Sequence, residues 1–366
     1  MWRGRGRGRS TPGLPGDLFA IEQALSRVLE IVDWREDPNS LYVVGRFHPF
    51  ILRPFTRLQE TLDPFGYDYH VQRNGDWIVL RLWEEKEKGK SHPWALHLFL
   101  FLLTVLSTLY AGALQEGADP FRHPSQLLRG IPFSFTLMTI LTIHEFGHYY
   151  ASSRRHIQVT LPYFIPAPSL LGTFGAFIRM KSPISDRRTL LEVGVAGPLF
   201  GFAVALPALA AGLALSRVSP PTGSPGLNLG SSLLLLLLSR LIIGPLPPDW
   251  DLVLHPMAFA GWIGTLITAL NLLPIGQLDG GHVAYALWGR KQHLIARWTF
   301  FALILMGFFW QGWLFWAFLS LLLGLRHPPL LDDWTPLDPP RRAVGLLAFL
   351  IFILCFIPVP FQLRSP

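Results

Sequence analysis

Charged residues and cysteine are both scarce in this chain of 366 residues. Only 15% of the residues are charged, whereas soluble domains average about 25%, and half of the chain is apolar. This balance disfavours a soluble protein and favours a polytopic membrane protein. The single cysteine, Cys355, excludes an internal disulfide, and a thiolate zinc site would need more cysteines.

Acidic residues are nearly absent from the long apolar runs. About seven membrane spans are predicted from these runs: 94–114, 131–151, 189–216, 252–273, two short spans forming a hairpin within 294–325, and 343–360. Residues 233–243 are too short to span and are predicted to be re-entrant or interfacial. Glu145, Glu192 and Asp279 are the acids in or beside these runs, where an ionisable residue is costly and marks a candidate functional site.

Composition divides the chain into three parts. Residues 1–16 are rich in Arg, Gly and Pro and are predicted to be a disordered basic tail. Residues 17–90 are predicted to form a small soluble α+β domain with a charged linker, and residues 91–366 a membrane-embedded domain. The predicted fold class is therefore a polytopic α-helical membrane protein with a small N-terminal soluble α+β domain. No apolar stretch follows the basic start, so no cleavable signal peptide is expected.

The soluble domain shows both helical and strand patterns. An amphipathic helix capped by Asp17 is predicted to run to about Asp33, followed by a strand at 41–47 and a helix at 53–62. Two further strands, 67–72 and 77–83, are predicted to form a hairpin that turns at Asn74-Gly75.

Basic residues flank the apolar runs and predict their orientation. Four clusters lie in the cytoplasm if the positive-inside rule holds: Arg154 and Arg155; Arg187 and Arg188; Arg290, Lys291 and Arg297; and Arg326, Arg341 and Arg342. This arrangement predicts a multi-pass protein of the plasma membrane with a cytoplasmic N-terminal domain. Nucleic-acid binding by the Arg-Gly repeats of the tail is a weaker interpretation, and no nucleic-acid partner is expected.

The sequence HEFGH, His144 to His148, lies near the end of the second apolar run. An HExxH pattern on a helix places two imidazoles on one face with a carboxylate beside the first, which suits a zinc ion and a general base. The alternative is a pair of packing histidines that hydrogen-bond to Glu145. A zinc site needs a third protein ligand, and Asp279 is the natural candidate because the glycines and proline around it break the helix.

The motif around Asp279 completes a pattern with HEFGH. Residues 271–282 read NLLPIGQLDGGH and contain the sequence NxxPxxxLDG without departure. The two motifs, in this order and each at a membrane helix, strongly resemble the site-2 protease family of intramembrane zinc metalloproteases. Residues 172–188 and 193–202 also look like its bacterial and plastid branch. The resemblance covers roughly residues 94–360, although residues 217–251 are too short for the PDZ domain that many relatives insert there.

The resemblance implies the role of each site residue. His144, His148 and Asp279 would bind one Zn²⁺ per chain, Glu145 would be the general base, and Asn271 would orient the substrate or the oxyanion. Asn271 could instead form an interhelical hydrogen bond. An interfacial salt bridge is preferred over catalysis for Glu192, and packing or interfacial roles are preferred for His156 and His282.

Substrates of such an enzyme would be single-span proteins in the lipid bilayer, cleaved within or near the membrane. Residues 172–180 alternate in a way that predicts a strand near the membrane surface, and its edge could pair with an unwound substrate. The alternative is a loop that only seals the cavity.

A non-proteolytic membrane protein, such as a metal carrier or a helix-binding chaperone, is the second functional class. A transporter is expected to place ionisable groups along a path through several spans. Here the acids cluster at one depth, which favours a catalytic site and predicts an intramembrane zinc metalloendopeptidase active in regulated proteolysis. The small residues Gly194, Gly197, Gly201 and Gly212 indicate close helix packing around that site.

Overall fold

A computed structural model describes residues 18–37, 40–51, 54–74, 77–84, 94–155, 157–181, 184, 186–220, 226–247, 250–328, 330, 333 and 335–364. The chain divides into two compact units, Met1–Ser91 and His92–Pro366. The predicted tail at 1–16 and the turn residue Gly75 lie outside the described residues. The predicted domain division stays a prediction.

The first unit is a small α+β fold. Its elements are α1 (Leu18–Leu25), β1 (Leu29–Asp37), β2 (Ser40–Phe47), α2 (Pro54–Leu62), β3 (Tyr67–Asn74) and β4 (Trp77–Glu84). The strands form one antiparallel sheet in the order β1-β2-β4-β3. Apolar residues of both helices and of the strands β2 and β4 are buried and form the core, among them Ile21, Leu25, Leu41, Leu58, Leu62, Leu80 and Leu82.

The structure corrects the first predicted helix. That helix ends at Leu25 rather than near Asp33, and the residues that follow form β1. The β-branched residues Ile31 and Val32 suit a pleated strand, and the segment pairs with β2 on both sides of an irregularity between Ile31 and Asp33. The strand β2, the helix α2 and the pairing of β3 with β4 are confirmed.

The second unit is mostly helical. Its elements are α3 (Trp94–Gln115), α4 (Ile131–Arg154), β5 (Tyr163–Pro166), β6 (Thr173–Phe177), α5 (Arg187–Ala214), β7 (Arg217–Ser219), β8 (Gly226–Leu229), α6 (Leu233–Ile242), β9 (Asp251–Val253), α7 (Pro256–Asn271), α8 (Asp279–Trp288), α9 (Gln292–Met306), α10 (Gly312–Leu323), α11 (Pro339–Cys355) and β10 (Phe361–Arg364). Helices α4, α5 and α7 pack against one another around the buried side chains of Phe133, Leu137, Leu209, Trp262 and Ile263.

Three helices of the described chain are long and apolar enough to cross a membrane. They are α3, α5 and α4 together with the 3₁₀ turn that precedes it. These three agree with the first three predicted spans.

The fourth predicted span is partly wrong. Residues 251–253 form β9, which pairs with β7, and helix α7 begins only at Pro256. His255 caps this helix, because its Nδ1 accepts the Met257 N–H at 3.2 Å. Helix α7 has 16 residues and is therefore about 24 Å long, shorter than the hydrocarbon core of about 30 Å.

The predicted strand between the second and third spans is confirmed, and its position relative to the membrane stays a prediction. Strands β5 and β6 form a hairpin that runs along α3: the His97 ring contacts the Pro162 carbonyl at 3.1 Å, and Gln115 donates to Leu170 at 2.9 Å. These two helix positions are about 27 Å apart along the axis. Ser107 also donates to the Gly172 carbonyl at 2.6 Å, so α3 holds the hairpin tip.

Candidate metal centre

Helix α4 carries three of the predicted site residues. His144 and His148 are four residues apart and share one helix face, and Glu145 is their neighbour. All three are buried, and the side chains of His144 and His148 lie against the facing helix α5. The carbonyl of Val193 in α5 lies 2.9 Å from Nδ1 of His148. If Nδ1 donates this hydrogen bond, the Nε2 lone pair is left free for a metal.

The facing surface of α5 has glycine where the histidines need space. A Cβ atom at Gly197 would lie 2.1 Å from Nε2 of His148, and one at Gly201 would lie 3.0 Å from Nδ1 of His144. The predicted close packing around the site is therefore observed at these two positions. Gly212, in contrast, packs against Ala258 of α7 and lies away from the site.

A tight turn between α7 and α8 delivers Asp279. Gly276 has a φ of +54°, which glycine adopts without strain. A Cβ atom at Gly280 would lie 2.0 Å from the Leu272 carbonyl oxygen, so the end of α7 and the start of α8 approach more closely than a larger residue allows. The carboxylate thereby reaches the two histidines of α4.

Three potential ligand atoms form a nearly equilateral triangle. Nε2 of His148 lies 3.2 Å from Nε2 of His144, and Oδ2 of Asp279 lies 3.5 Å from His144 and 3.3 Å from His148. A tetrahedral zinc ion with bonds of about 2.0–2.1 Å requires ligand atoms about 3.3–3.4 Å apart. The donor set and its spacing therefore fit zinc. Within the described chain, this is the group of His, Cys, Asp and Glu residues whose donor atoms converge closely enough for a metal.

Glu145 is available for proton transfer beside this triangle. It interacts electrostatically with His144, His148 and Asp279, and its carboxylate also faces the backbone N–H of Ile178, just beyond β6. Its Oε2 atom is buried and has no hydrogen-bond partner among the described residues. A buried carboxylate oxygen without a partner suits an acceptor for a reacting water.

Asn271, the last residue of α7, also lies at the triangle. Its Nδ2 atom is 3.3 Å from Nε2 of His144. The contact joins α7 to α4, so it is an interhelical contact and a contact at the site at once. The structure thus brings together all five predicted site residues, and their roles stay proposals.

The remaining predicted polar residues lie outside the triangle. Glu192 forms an ion pair, as expected, with Arg155 and with Arg341, whose Nε lies 2.8 Å from the carboxylate. His282 is buried, and its ring lies 5.1 Å from the ring of His327. His156 lies outside the described residues.

Sequence reasoning missed Gln292, a fully buried amide at the start of α9. It hydrogen-bonds to the segment that follows α10. Its neighbours in sequence are basic, and nothing in that pattern distinguishes it from a solvated residue.

Comparisons with known proteins show what this chain is similar to. Residues 132–310 match the profile described as "Peptidase family M50". The chain is 31% identical over 307 residues to "Probable zinc metalloprotease EGY1, chloroplastic" of Arabidopsis thaliana, an alignment that covers 75% of this chain and 55% of that protein. It is 32% identical over 308 residues to the protein of the same name in Oryza sativa subsp. japonica, with 75% and 52% covered.

A third relative is "Probable zinc metalloprotease EGY2, chloroplastic" of Arabidopsis thaliana. The identity is 31% over 276 residues, with 71% of this chain and 48% of that protein covered. The chain therefore spans about half the length of the curated relatives that it matches. No solved structure matches the chain significantly.

Proposed function

We propose that this chain, which belongs to peptidase family M50 (the site-2 protease family), is an intramembrane zinc metalloendopeptidase. It hydrolyses peptide bonds within or near the transmembrane segments of membrane-anchored substrates, in regulated intramembrane proteolysis. The observation that carries the proposal is the triangle of His144, His148 and Asp279, whose edges of 3.2–3.5 Å suit one zinc ion. The relatives are themselves named probable zinc metalloproteases.

Each residue of the site then has a chemical task. His144, His148 and Asp279 hold the zinc, which when bound lowers the pKa of a water molecule and polarises the scissile carbonyl. Glu145 accepts the proton of the attacking water on its carboxylate and passes it to the nitrogen of the leaving amine. Asn271 lies at the same site through its contact with His144, and its amide orients the substrate or donates to the developing oxyanion.

The test of this mechanism separates binding of the metal from proton transfer. Glu145→Gln keeps the size of the side chain and removes its basic oxygen. We expect wild type and this variant, purified in detergent, to bind one zinc per chain, and hydrolysis of single-span substrates to fall at least about 100-fold in the variant alone. Metal analysis and a gel-based cleavage assay measure the two quantities.

Glu116→Gln is the matched control, because Glu116 is exposed in the loop after α3. It should cleave like wild type. Zinc-free but active wild type, or full activity of Glu145→Gln, would contradict the mechanism.

A helical peptide bond is shielded, so the substrate has to be held extended near Glu145. We propose that it pairs with the free edge of β6. The N–H of Ile178 already points at Glu145, and backbone groups of a strand alternate between its edges, so Ala176 presents its N–H on the same edge. A substrate strand added there would lie between the hairpin and the metal triangle.

The proposed topology has seven spans, formed by α3, α4, α5, α7, α9, α10 and α11, with α6 re-entrant or interfacial on the outer side. The N-terminal unit is proposed to be cytoplasmic on the strength of the arginine clusters. The membrane is proposed to be the plasma membrane. One contact supports this arrangement: the Gln292 side chain at the start of α9 bonds to the Leu325 carbonyl just after α10, so α9 and α10 return to the same side.

A further inference from the structure

A short segment after α10 crosses the turn that carries Asp279. This segment, residues 324–328, is called the strap below. The Leu325 carbonyl accepts the backbone N–H of Gly276 at 3.2 Å. A Cβ atom at Gly276 would lie 1.9 Å from the Gly324 carbonyl oxygen, so the strap and the turn are in direct backbone contact. Gly276 lies three residues before Asp279.

Gln292 holds the strap with both ends of its amide. Its Oε1 accepts the backbone N–H of His327 at 3.3 Å, and its Nε2 donates to the Leu325 carbonyl at 3.4 Å. The residue is fully buried, so these two bonds satisfy an amide that would otherwise be costly to remove from water. The Leu325 carbonyl therefore accepts from Gln292 and from Gly276 at once.

The ring of His327 adds a contact between the strap and α8. It lies 4.5 Å from the ring of Tyr285 and 5.1 Å from the ring of His282. Burial lowers the pKa of His327, so the ring packs in its uncharged form at neutral pH. The strap thus supports both the turn before Asp279 and the helix after it.

The third ligand depends on this support more than the other two do. His144 and His148 belong to one continuous helix, whose backbone hydrogen bonds fix their spacing. Asp279 stands at the first position of α8, directly after irregular backbone. Its place relative to α4 is therefore set by whatever holds the turn.

We propose that Gln292 is a positioning residue for Asp279, acting through the strap and the turn at Gly276. The proposal rests on the proposed zinc site. Gln292 touches neither the metal triangle nor the substrate edge of β6. Its amide holds the Leu325 carbonyl in place, this carbonyl holds the Gly276 N–H, and the turn then presents the Asp279 carboxylate to the two histidines.

The test uses Gln292→Leu and Gln292→Met in the full-length protein in detergent. Both remove the two hydrogen bonds, and the methionine keeps the length of the side chain in case the leucine variant folds poorly. We expect the zinc dissociation constant, measured by competition with a chelator, to rise about tenfold, the lower end of what loss of a supporting contact costs. The visible absorption spectrum of the Co²⁺-substituted protein should change, and kcat should fall while KM stays within about twofold.

Gln311→Leu is the matched control, because Gln311 is exposed just before α10, and it should leave the zinc dissociation constant, the Co²⁺ spectrum, kcat and KM unchanged. Wild-type zinc affinity and an unchanged Co²⁺ spectrum in both Gln292 variants would overturn the positioning role. Failure of wild type to bind zinc or to cleave substrates would instead overturn the proposed function.

Discussion

Single residues on α5 decide how closely the two histidines of α4 can approach it. Gly197 faces Nε2 of His148, the atom that points into the metal triangle, and Gly201 faces His144. A side chain at either position would occupy space that the imidazole rings now fill. Glycine is less favourable than alanine in a helix by about 1 kcal/mol per residue. Helix α5 nevertheless carries glycine at the two positions where the imidazole rings need the space.

Gly197→Ala should therefore damage the site while favouring the helix. The new Cβ would lie 2.1 Å from Nε2 of His148, so the ring or the helix has to move. We expect bound zinc to fall and hydrolysis to drop at least about tenfold, measured by metal analysis and the cleavage assay. Ala203→Ser adds one heavy atom on an exposed position of the same helix and should behave like wild type. Full zinc occupancy of Gly197→Ala would contradict the assigned packing.

The hairpin of β5 and β6 was predicted only in part. Strand β6 was expected from its alternation and β5 was not predicted, and the course of the hairpin along α3 depends on bonds from Ser107 and Gln115 to the hairpin tip. A sheet of two strands leaves one edge of β6 without a strand partner in the described chain. Backbone groups at such an edge are ready to pair with another extended chain.

Ala176→Pro tests the pairing of a substrate with that edge. Proline removes the N–H that faces the free edge and is tolerated on edge strands, whereas Gly175, with a φ of +103°, cannot be replaced by proline without breaking the hairpin. We expect cleavage of transmembrane substrates to fall about tenfold, with zinc binding unchanged, because one hydrogen bond is worth about 0.5–1.5 kcal/mol. Ala176→Ser keeps the N–H and serves as the control. Wild-type cleavage by Ala176→Pro would eliminate this pairing.

Across the whole membrane unit, contacts group the helix ends into two sets. Arg155 at the end of α4, Glu192 near the start of α5 and Arg341 near the start of α11 meet in one ion-pair cluster. These residues come from the basic clusters that predict the cytoplasmic side, or lie beside them. Glu192 pairs with Arg155 and Arg341, although the arginines nearest in sequence are Arg187 and Arg188.

The opposite set of ends is joined by other contacts. Ser216, just after α5, accepts the backbone N–H of His255, just before α7, at 3.0 Å. The Trp313 indole at the start of α10 donates to the Pro358 carbonyl, just after α11, at 2.6 Å. The alternation of helix directions needed for the proposed topology is therefore supported by contacts at both ends.

Labelling of single cysteines tests this topology. Cys355 is buried and can be replaced by alanine, after which Lys291→Cys and Glu116→Cys each supply one exposed thiol. In oriented membrane vesicles, a membrane-impermeant maleimide should label Lys291→Cys only from the cytoplasmic side and Glu116→Cys only from the other side. Labelling of both positions from the same side would refute the proposed spans.

Periodicity and length were sufficient for the long helices and for four of the ten strands in the described chain, namely β2, β3, β4 and β6. The bounds of α3, α4 and α5 follow the predicted runs within three residues, because an apolar helix of this length is visible in any window of sequence. The prediction failed at α1 and α7. In both places a strand replaced part of the expected helix, because pairing with another strand decided the local structure: β1 pairs with β2, which follows it directly, and β9 pairs with the more distant β7.

The sequence by itself determined the residue types on which the proposed chemistry rests: the proposed metal ligands, the proposed base beside them and the apolar runs that carry them. These properties depend on residue identity and local spacing, which a linear pattern records. The tertiary structure alone decided how His144, His148 and Asp279 converge, which arginines pair with Glu192, how the hairpin runs along α3 and what supports the turn before Asp279. Those features arise from contacts between segments far apart in the chain, where shape and hydrogen bonding rather than local periodicity select the partner.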